Sequence, residues 1–245
     1  RVALAAGLPM RVPAYTVNRL CGSGLQAIWS AAMQMRWNGL DFALAGGDES
    51  MSRMPFYDFG ARAGYKLGDR SLVDGTVMML TDPFHGFHMG VTAERVAERY
   101  GMSRVEQDEF AAESQRRAAT ERARVVFAEE IVPVEVGGRR PVTVTEDEHP
   151  KPGTTVETLA GLRPAFQRDG TVTAGNASGI NDGAAVVVLA RESVAVERGL
   201  RPLAVVEAVA TAAMEPELMG YAPVLALKGL FERTGTSRRT SGRWS

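Results

Sequence analysis

Residues 18–35 read NRLCGSGLQAIWSAAMQM and contain the single cysteine of the chain, Cys21. A β-type run at residues 12–18 precedes this cysteine, and apolar residues follow it at helical spacing. Cys21 is therefore predicted to lie in the turn between a strand and the N-terminus of a helix. Gly39 ends the predicted helix, and residues 41–45 are predicted to form a buried strand parallel to the first. Such a β-turn-α-turn-β unit indicates an α/β fold.

The bulk composition limits the classes of function. Of the 245 residues, 45% are hydrophobic and 23% are charged, which is typical of a globular protein with one large domain or two intertwined ones. A net charge of −1 gives no support for nucleic-acid or anionic-membrane partners. No apolar run reaches the ~20 residues needed to span a bilayer. Pro9 and Arg11 interrupt the first apolar run before it reaches the length of a secretory signal. One cysteine cannot form an intrachain disulfide, so a reducing compartment, the cytoplasm, is expected.

The rest of the chain alternates between helical and strand patterns around a long irregular stretch. Residues 49–87 have no period, and a loop of this length is more often functional than idle. The remaining predicted elements are helices at 91–100, at 103–126 with a capping box, and from 222, strands at 184–190 and within 201–213, a hairpin over 132–144, and a polar loop at 146–153. This order indicates an α/β fold with an inserted subdomain.

Cys21 has two possible roles on these residues alone. A helix N-terminus stabilises a thiolate, and the small neighbours Gly22, Ser23 and Gly24 would let a substrate carbonyl approach, as at the nucleophile elbow of hydrolases. A free cysteine is, however, also one of the most frequently buried residues, where it acts as a small hydrophobe. The sequence pattern leaves both roles open.

A dinucleotide-binding motif is a competing interpretation of the same segment. Residues 22–27 fit the G-x-G-x-x-A fingerprint, which requires an acidic residue at the end of the second strand. Asp41 comes before that strand, and Asp48 comes later than the fingerprint expects. The dinucleotide interpretation is therefore weakened.

The three histidines and a small-residue segment supply the other candidates. His85 and His88 are three residues apart, but no cysteine is near them, so no metal site is expected. His88 directly precedes a helix start, where its ring could face a cleft, whereas His149 is predicted to be a solvated loop residue. Residues 173–183, TAGNASGINDG, are small enough to let a ligand approach the backbone closely.

Four stretches together resemble the thiolase family, the acetyl-CoA C-acyltransferases and acetyl-CoA acetyltransferases. They are VNRLCGSGLQAI at 17–28, GGDESMSRMP at 46–55, FHMGVTAERVAERYGMSRVEQDEFA at 87–111 and LRPAFQRDGTVTAGNASGINDGAA at 162–185. The resemblance extends from residue 1 to about residue 233 without a large gap. Because the motifs are long and occur in order, it is specific.

The resemblance implies a layered α-β-α-β-α fold made of two similar halves, with a loop domain inserted in the first. Residues 1–51 and 182–202 would form an incomplete N-terminal core half, residues 52–181 the inserted loop domain, residues 203–233 the start of the C-terminal half, and residues 234–245 a divergent tail. The second half would be largely missing, and the chain would be truncated at both ends. The resemblance also implies assembly as a homodimer or a homotetramer.

The resemblance also implies a set of site residues. Cys21 would attack the acyl thioester and hold the acyl group, with its backbone N–H contributing to an oxyanion hole. Lys151 matches a basic position near the adenosine end of coenzyme A. The positions that match the pantetheine site are Leu80, His88, Met89, Ala174, Ser178 and Ile180. The substrate would be a coenzyme A thioester, and no tightly bound cofactor or metal is expected.

Three family motifs are absent from this sequence: Asn-Glu-Ala-Phe, Gly-His-Pro and a C-terminal Cys-x-Gly. In the family that histidine activates the nucleophile and that second cysteine moves the proton of the acetyl carbon, so impaired turnover is expected. One alternative is a non-catalytic chain that pairs with full-length subunits. Another is a β-ketoacyl synthase relative, which FHMGVTAE and TAGNASGINDGAA disfavour. The sequence predicts neither the length of the acyl chain nor whether the role is biosynthetic or degradative.

Overall fold

The computed structural model describes residues 1–236, which form two compact units. Unit 1 comprises Arg1–Ser50 and Asp182–Val209, and unit 2 comprises Met51–Asn181 and Ala210–Ser245, described as far as residue 236. Each unit is built from two separate chain segments. The correspondence of these units to the core half and inserted loop domain of the family remains a prediction. Most of the tail predicted at 234–245 lies outside the described residues.

The helices and strands are short apart from five helices and one pair of strands. The helices are α1 (Val2–Ala5), α2 (Ser23–Asn38), α3 (Gly75–Met79), α4 (Met89–Tyr100), α5 (Arg104–Ala118), α6 (Glu121–Glu130), α7 (Val156–Ala160), α8 (Glu192–Glu197) and α9 (Ala222–Thr234). The strands are β1 (Phe42–Ser50), β2 (Phe56–Tyr57), β3 (Val73–Asp74), β4 (Val134–Val136), β5 (Val142–Val144) and β6 (Asp182–Ala190). Short 3-10 turns at Leu20–Gly22 and Pro216–Tyr221 precede α2 and α9.

Unit 1 places α2 against a two-stranded sheet of β1 and β6. The helix ends as predicted, because Gly39 adopts the left-handed conformation with φ +65°. The two strands are antiparallel, in a register that pairs Phe42 with Ala190 and Ser50 with Asp182. The predicted parallel partner at residues 12–18 is not a strand. A strand needs a hydrogen-bonded neighbour, and within the described structure β1 takes β6 as its partner instead.

The predicted burial of this sheet is wrong for most of its residues. Ala45 of β1 is buried, but Leu44 is 51% exposed and Val188, its partner in β6, is 67% exposed. A sheet of two strands with α2 on one side has few neighbours to cover its side chains. The apolar sequence of these segments therefore correctly predicts that they are strands, but it incorrectly predicts that their side chains are buried.

Unit 2 contains the remaining predicted helices and the hairpin. Ser103 and Glu106 form the predicted capping box of α5. The helix predicted over 103–126 is in fact two helices, because Thr120 accepts a hydrogen bond from Ala123 N–H and starts α6. Strands β4 and β5 pair antiparallel as predicted, with Val134 opposite Val144.

The C-terminal part of the described chain agrees with the sequence pattern only in its helix. Residues 201–213, predicted to contain a strand, belong to none of the strands that the structure describes. A strand forms only where a neighbouring strand supplies hydrogen bonds, which the apolar pattern of this segment does not specify. The helix predicted from residue 222 is α9, and Gly235 ends it with φ +66°. Among the described helices, none is both long and apolar enough to cross a membrane.

Candidate active site

Cys21 is exposed and lies in the 3-10 turn Leu20–Gly22 that leads into α2. The N-cap residue of α2 is Gly22, which has no side chain to accept a hydrogen bond from the first turn of the helix. The positive end of the helix dipole and its free N–H groups therefore remain available to an anion beside the thiol. The turn before a helix N-terminus predicted for Cys21 is confirmed, but the strand predicted before that turn is absent at residues 12–18, and the interpretation of Cys21 as a buried hydrophobe is wrong.

The residue before the cysteine has an unusual backbone. Leu20 has φ +48°, and it is the only residue other than glycine with positive φ in the described part of the chain. Its N–H donates to Asn18 Oδ1 at 2.9 Å, and its carbonyl accepts from Ser23 Oγ at 2.8 Å. Ser23 Oγ also accepts from Arg19 N–H at 2.8 Å. Asn18 and Ser23 therefore hold the turn that presents Cys21.

The other seven predicted site residues lie in unit 2, and the structure brings three of them together. Met89 N–H donates to the Leu80 carbonyl at 2.7 Å, and an isolated β-bridge pairs Thr81 with His88. Leu80, His88 and Met89 therefore lie side by side at the start of α4. This arrangement agrees with a shared binding surface, and the role of the three residues in binding coenzyme A stays a prediction.

His88 is held in one orientation by two contacts. It is the N-cap of α4, and its Nδ1 accepts from Gly90 N–H at 3.0 Å. The ring also stacks on Phe166, with 4.9 Å between centroids. Since Nδ1 is an acceptor in the neutral ring, the proton is on Nε2, which is free to donate to a ligand. Gly90 permits this arrangement, because a Cβ there would overlap the Phe166 ring.

Buried polar groups fix the loop that contains Ala174, Ser178 and Ile180. Thr173 is fully buried, and its hydroxyl accepts from Gly175 N–H and Asn176 N–H. Asn176 Nδ2 donates to the buried Asp108 Oδ1 at 2.9 Å, and Asp108 also pairs with Arg104. The three predicted side chains Ala174, Ser178 and Ile180 are exposed on this fixed loop.

Two glycines of this loop, Gly175 and Gly179, are packed so closely against neighbouring side chains that a Cβ would not fit. A Cβ on Gly175 would come within 2.5 Å of Leu159 and Leu162 side-chain atoms. One on Gly179 would come within 2.7 Å of the His149 ring. Packing against these neighbours therefore accounts for Gly175 and Gly179, and a role of the small residues in ligand approach stays a prediction.

Lys151 lies on the loop adjacent to Gly179. Its backbone N–H donates to Gln115 Oε1 at 2.7 Å, and its side chain is exposed. His149, two residues earlier, is exposed as predicted, but its ring lies against Gly179. The loop of Lys151 is thus next to the loop of Ser178 and Ile180.

His85 forms a pair with a buried carboxylate and is not part of a metal cluster. Its Nδ1 lies 2.9 Å from Asp82 Oδ1, which also accepts the N–H groups of Phe84 and His85. Burial raises the pKa of Asp82, but these hydrogen bonds outweigh it and leave the pKa below its usual value. Within residues 1–236, no group of three His, Cys, Asp or Glu side chains could hold a metal ion.

Comparison with known proteins identifies the family. Residues 1–193 match the family model described as "Thiolase, N-terminal domain". The chain belongs to the thiolase family. A "Probable acetyl-CoA acyltransferase" of Staphylococcus aureus strain COL is 47% identical over 235 residues, which cover 95% of this chain and 60% of that protein. The thiolase resemblance seen in the sequence is thereby confirmed.

Solved thiolase structures also match this chain. The crystal structure of the Bacillus anthracis acetyl-CoA acetyltransferase is 42% identical, with a TM-score of 0.91 over 97% of this chain and 60% of that chain. The acetyl-CoA acetyltransferase from Syntrophomonas wolfei is 35% identical, with a TM-score of 0.92 over 99% of this chain and 61% of that chain. The predicted fold class, the first half of a thiolase-like α/β fold, is confirmed. The chain spans about 60% of the length of these relatives.

Proposed function

We propose that this chain performs the acyl-transfer half-reaction of a thiolase, with Cys21 as the acyl acceptor. The observation that supports it best is the exposed thiol at the glycine-capped start of α2, in a segment that matches the thiolase N-terminal domain. The relatives are named acetyl-CoA acyltransferase or acetyl-CoA acetyltransferase, so an acyl-CoA, with acetyl-CoA as the first candidate, is the proposed substrate.

The proposed step exchanges one thioester for another. The Cys21 sulfur attacks the thioester carbonyl carbon, a new sulfur–carbon bond forms, and the bond to the coenzyme A sulfur breaks. The coenzyme A thiol leaves with the proton that Cys21 gave up, so the exchange balances without an oxidant. The dipole and N–H groups at the start of α2 favour the negative charge that develops on the thioester oxygen.

Coenzyme A binding is proposed for unit 2. His88 would donate from Nε2, the exposed loop of Ala174, Ser178 and Ile180 would line the pantetheine together with Leu80 and Met89, and Lys151 would face a phosphate. The proposal includes no tightly bound cofactor. Assembly into two or four copies and a location in the cytoplasm belong to the same proposal.

Carbon–carbon bond formation is not proposed for the 245-residue chain alone. That step needs a base for the α-proton of the acyl group. In the thiolase family the cysteine of a C-terminal Cys-x-Gly motif moves this proton, and Cys21 is the only cysteine of the 245-residue sequence. We therefore expect acyl transfer to Cys21 without cleavage of acetoacetyl-CoA.

Intact mass spectrometry tests the proposal. The purified chain is incubated with acetyl-CoA beside a Cys21→Ser control, and circular dichroism establishes that both are folded. A gain of one acetyl group that requires Cys21 is the expected result. If the folded chain gains no acetyl group, or the Cys21→Ser variant gains it equally, the proposal is wrong. If the chain cleaves acetoacetyl-CoA and the Cys21→Ser variant does not, the chain performs more than the acyl-transfer half-reaction.

A further inference from the structure

Glu94 is a buried carboxylate in the middle of α4. It is 6% exposed, and its two oxygens accept from Thr171 N–H at 2.9 and 2.8 Å, from Thr171 Oγ1 at 2.8 Å and from Val172 N–H at 2.9 Å. These donors are 77 and 78 residues away in sequence. A buried carboxylate is retained only where such donors replace its hydration. The carboxylate of Glu94 therefore depends on the segment around Thr171.

The segment that Glu94 holds leads directly into the loop of Ala174, Ser178 and Ile180. Val172 N–H is bonded to Glu94, and the next residue, Thr173, organises the turn of that loop through its buried hydroxyl. Glu94 itself belongs to α4, about one and a half helical turns after His88 and Met89 at the start of that helix. Glu94 thus joins the two groups of proposed coenzyme A ligands within unit 2.

The neighbouring sequence is shaped to admit the carboxylate. A Cβ on Gly170 would overlap Glu94 Oε1, so only glycine leaves room for the side chain at that position. A second polar contact supports the same segment, because Gln107 Nε2 of α5 donates to Thr171 Oγ1 at 2.9 Å. Thr171 is therefore held from α4 and α5 at once.

We infer that Glu94 is a positioning residue for coenzyme A binding: it fixes the loop of Ala174, Ser178 and Ile180 relative to His88 and Met89. The inference rests on the proposed function. A carboxylate suits this role because it accepts without donating, and all four of its contacts come from N–H or O–H donors. A purely stabilising role would leave the affinity for coenzyme A unchanged in folded protein.

The inference predicts a graded effect of two substitutions. Glu94→Ala leaves the Thr171 and Val172 donors buried without an acceptor, and we expect it to raise the Kd for coenzyme A at least tenfold, equivalent to ~1.4 kcal/mol. Glu94→Gln retains one acceptor oxygen for the two N–H groups, so its Kd is expected to rise only about threefold. Glu98→Gln, which changes an exposed carboxylate one turn further along α4, should leave the Kd unchanged.

Isothermal titration with coenzyme A, at a temperature where every variant is folded, measures these Kd values. Hydrogen exchange of residues 171–180 measures the order of the loop without any ligand. The expected result is weaker binding together with faster exchange in Glu94→Ala, partly restored in Glu94→Gln. Unchanged Kd in Glu94→Ala would overturn the inference while leaving the proposed function intact. If the unmodified chain does not bind coenzyme A, both the proposed function and the inference about Glu94 are wrong. If hydrogen exchange of residues 171–180 is unchanged in Glu94→Ala, the inference about Glu94 alone is wrong.

Discussion

The imidazole of His88 stacks on the phenyl ring of Phe166, with 4.9 Å between the centroids and 18° between the planes. The two residues are far apart in sequence, and the contact fixes the plane of a ring whose Nδ1 is already bonded to Gly90 N–H. The fixed ring plane and the acceptor role of Nδ1 leave Nε2 as the nitrogen of His88 that can donate a hydrogen bond. The orientation of His88 is therefore a property of two chain segments rather than of its own helix.

Replacing Phe166 tests this orientation. We expect Phe166→Leu to lower the free energy of unfolding by about 1 kcal/mol through loss of ring stacking, and to weaken coenzyme A binding because the His88 ring is freed. Urea denaturation and a binding titration measure the two effects. Phe84→Leu is the matched control, since Phe84 is 84% exposed, and it should change stability by less than about 0.5 kcal/mol. Equal effects of the two substitutions would contradict the assigned contact.

Gly90 offers a second test of the same contact. A Cβ there would overlap the Phe166 ring, so Gly90→Ala must displace the ring, and we expect a loss of about 1–3 kcal/mol despite the better helix propensity of alanine. Combining Gly90→Ala with Phe166→Ala should remove the clash, making the second alanine less costly than it is alone.

Gly153→Ala is the control for Gly90→Ala, because a Cβ on Gly153 meets no heavy atom within 4 Å. Urea denaturation of the four variants gives the comparison. Strict additivity of Gly90→Ala and Phe166→Ala would show that the two residues do not touch in solution.

Local sequence signals predicted the parts of the fold that depend on local chemistry. Gly39 ends α2 and the Ser103–Glu106 capping box starts α5, because each signal satisfies backbone groups within a few residues. Residues 12–18 and 201–213 have equally suggestive strand patterns but form no strand. A strand depends on a partner elsewhere in the chain, which no local pattern specifies.

The residues of the candidate site likewise include some that sequence motifs predicted and others that depend on contacts between distant parts of the chain. The motif resemblance pointed to Leu80, His88 and Met89, and the structure places them side by side. Phe166 and Glu94 were not predicted, because their importance comes from contacts across 77 or more residues with His88 and Thr171. The one signal in the sequence was Gly170, whose missing side chain makes room for Glu94.

The pH dependence of stability should include a contribution from Glu113. Arg116 and Arg117 bind its carboxylate and lower its pKa from 4.5 to about 2. A carboxyl group whose pKa is depressed by folding stabilises the protein above its unfolded pKa, and this contribution is lost as the pH falls from about 4.5 toward 2. Glu113→Gln should therefore be less stable than the parent chain at pH 5, with the difference shrinking at lower pH.

Thermal unfolding of both proteins at pH 5, 4 and 3 measures the Glu113 effect. Glu113 and both arginines are exposed, so the difference should also diminish at high salt. Glu109→Gln removes another exposed carboxylate from α5 and serves as the control. A Glu113→Gln difference that stays constant or grows as the pH falls would contradict the assigned ion pairs.

The strained turn before Cys21 gives the final prediction. Leu20 is exposed and adopts φ +48°, a conformation that costs a non-glycine residue roughly 1–2 kcal/mol but that asparagine tolerates better. Leu20→Asn should therefore raise the free energy of unfolding by up to about 1 kcal/mol, as urea denaturation would measure. Leu25→Asn, an exposed position within the right-handed helix α2, should lower it by about 0.5 kcal/mol. The same substitution of leucine by asparagine is thus expected to raise the free energy of unfolding at one exposed position and to lower it at another. A change in hydrophobicity alone would affect both positions in the same direction. If both variants lose stability equally, the left-handed turn that presents Cys21 is not maintained in solution.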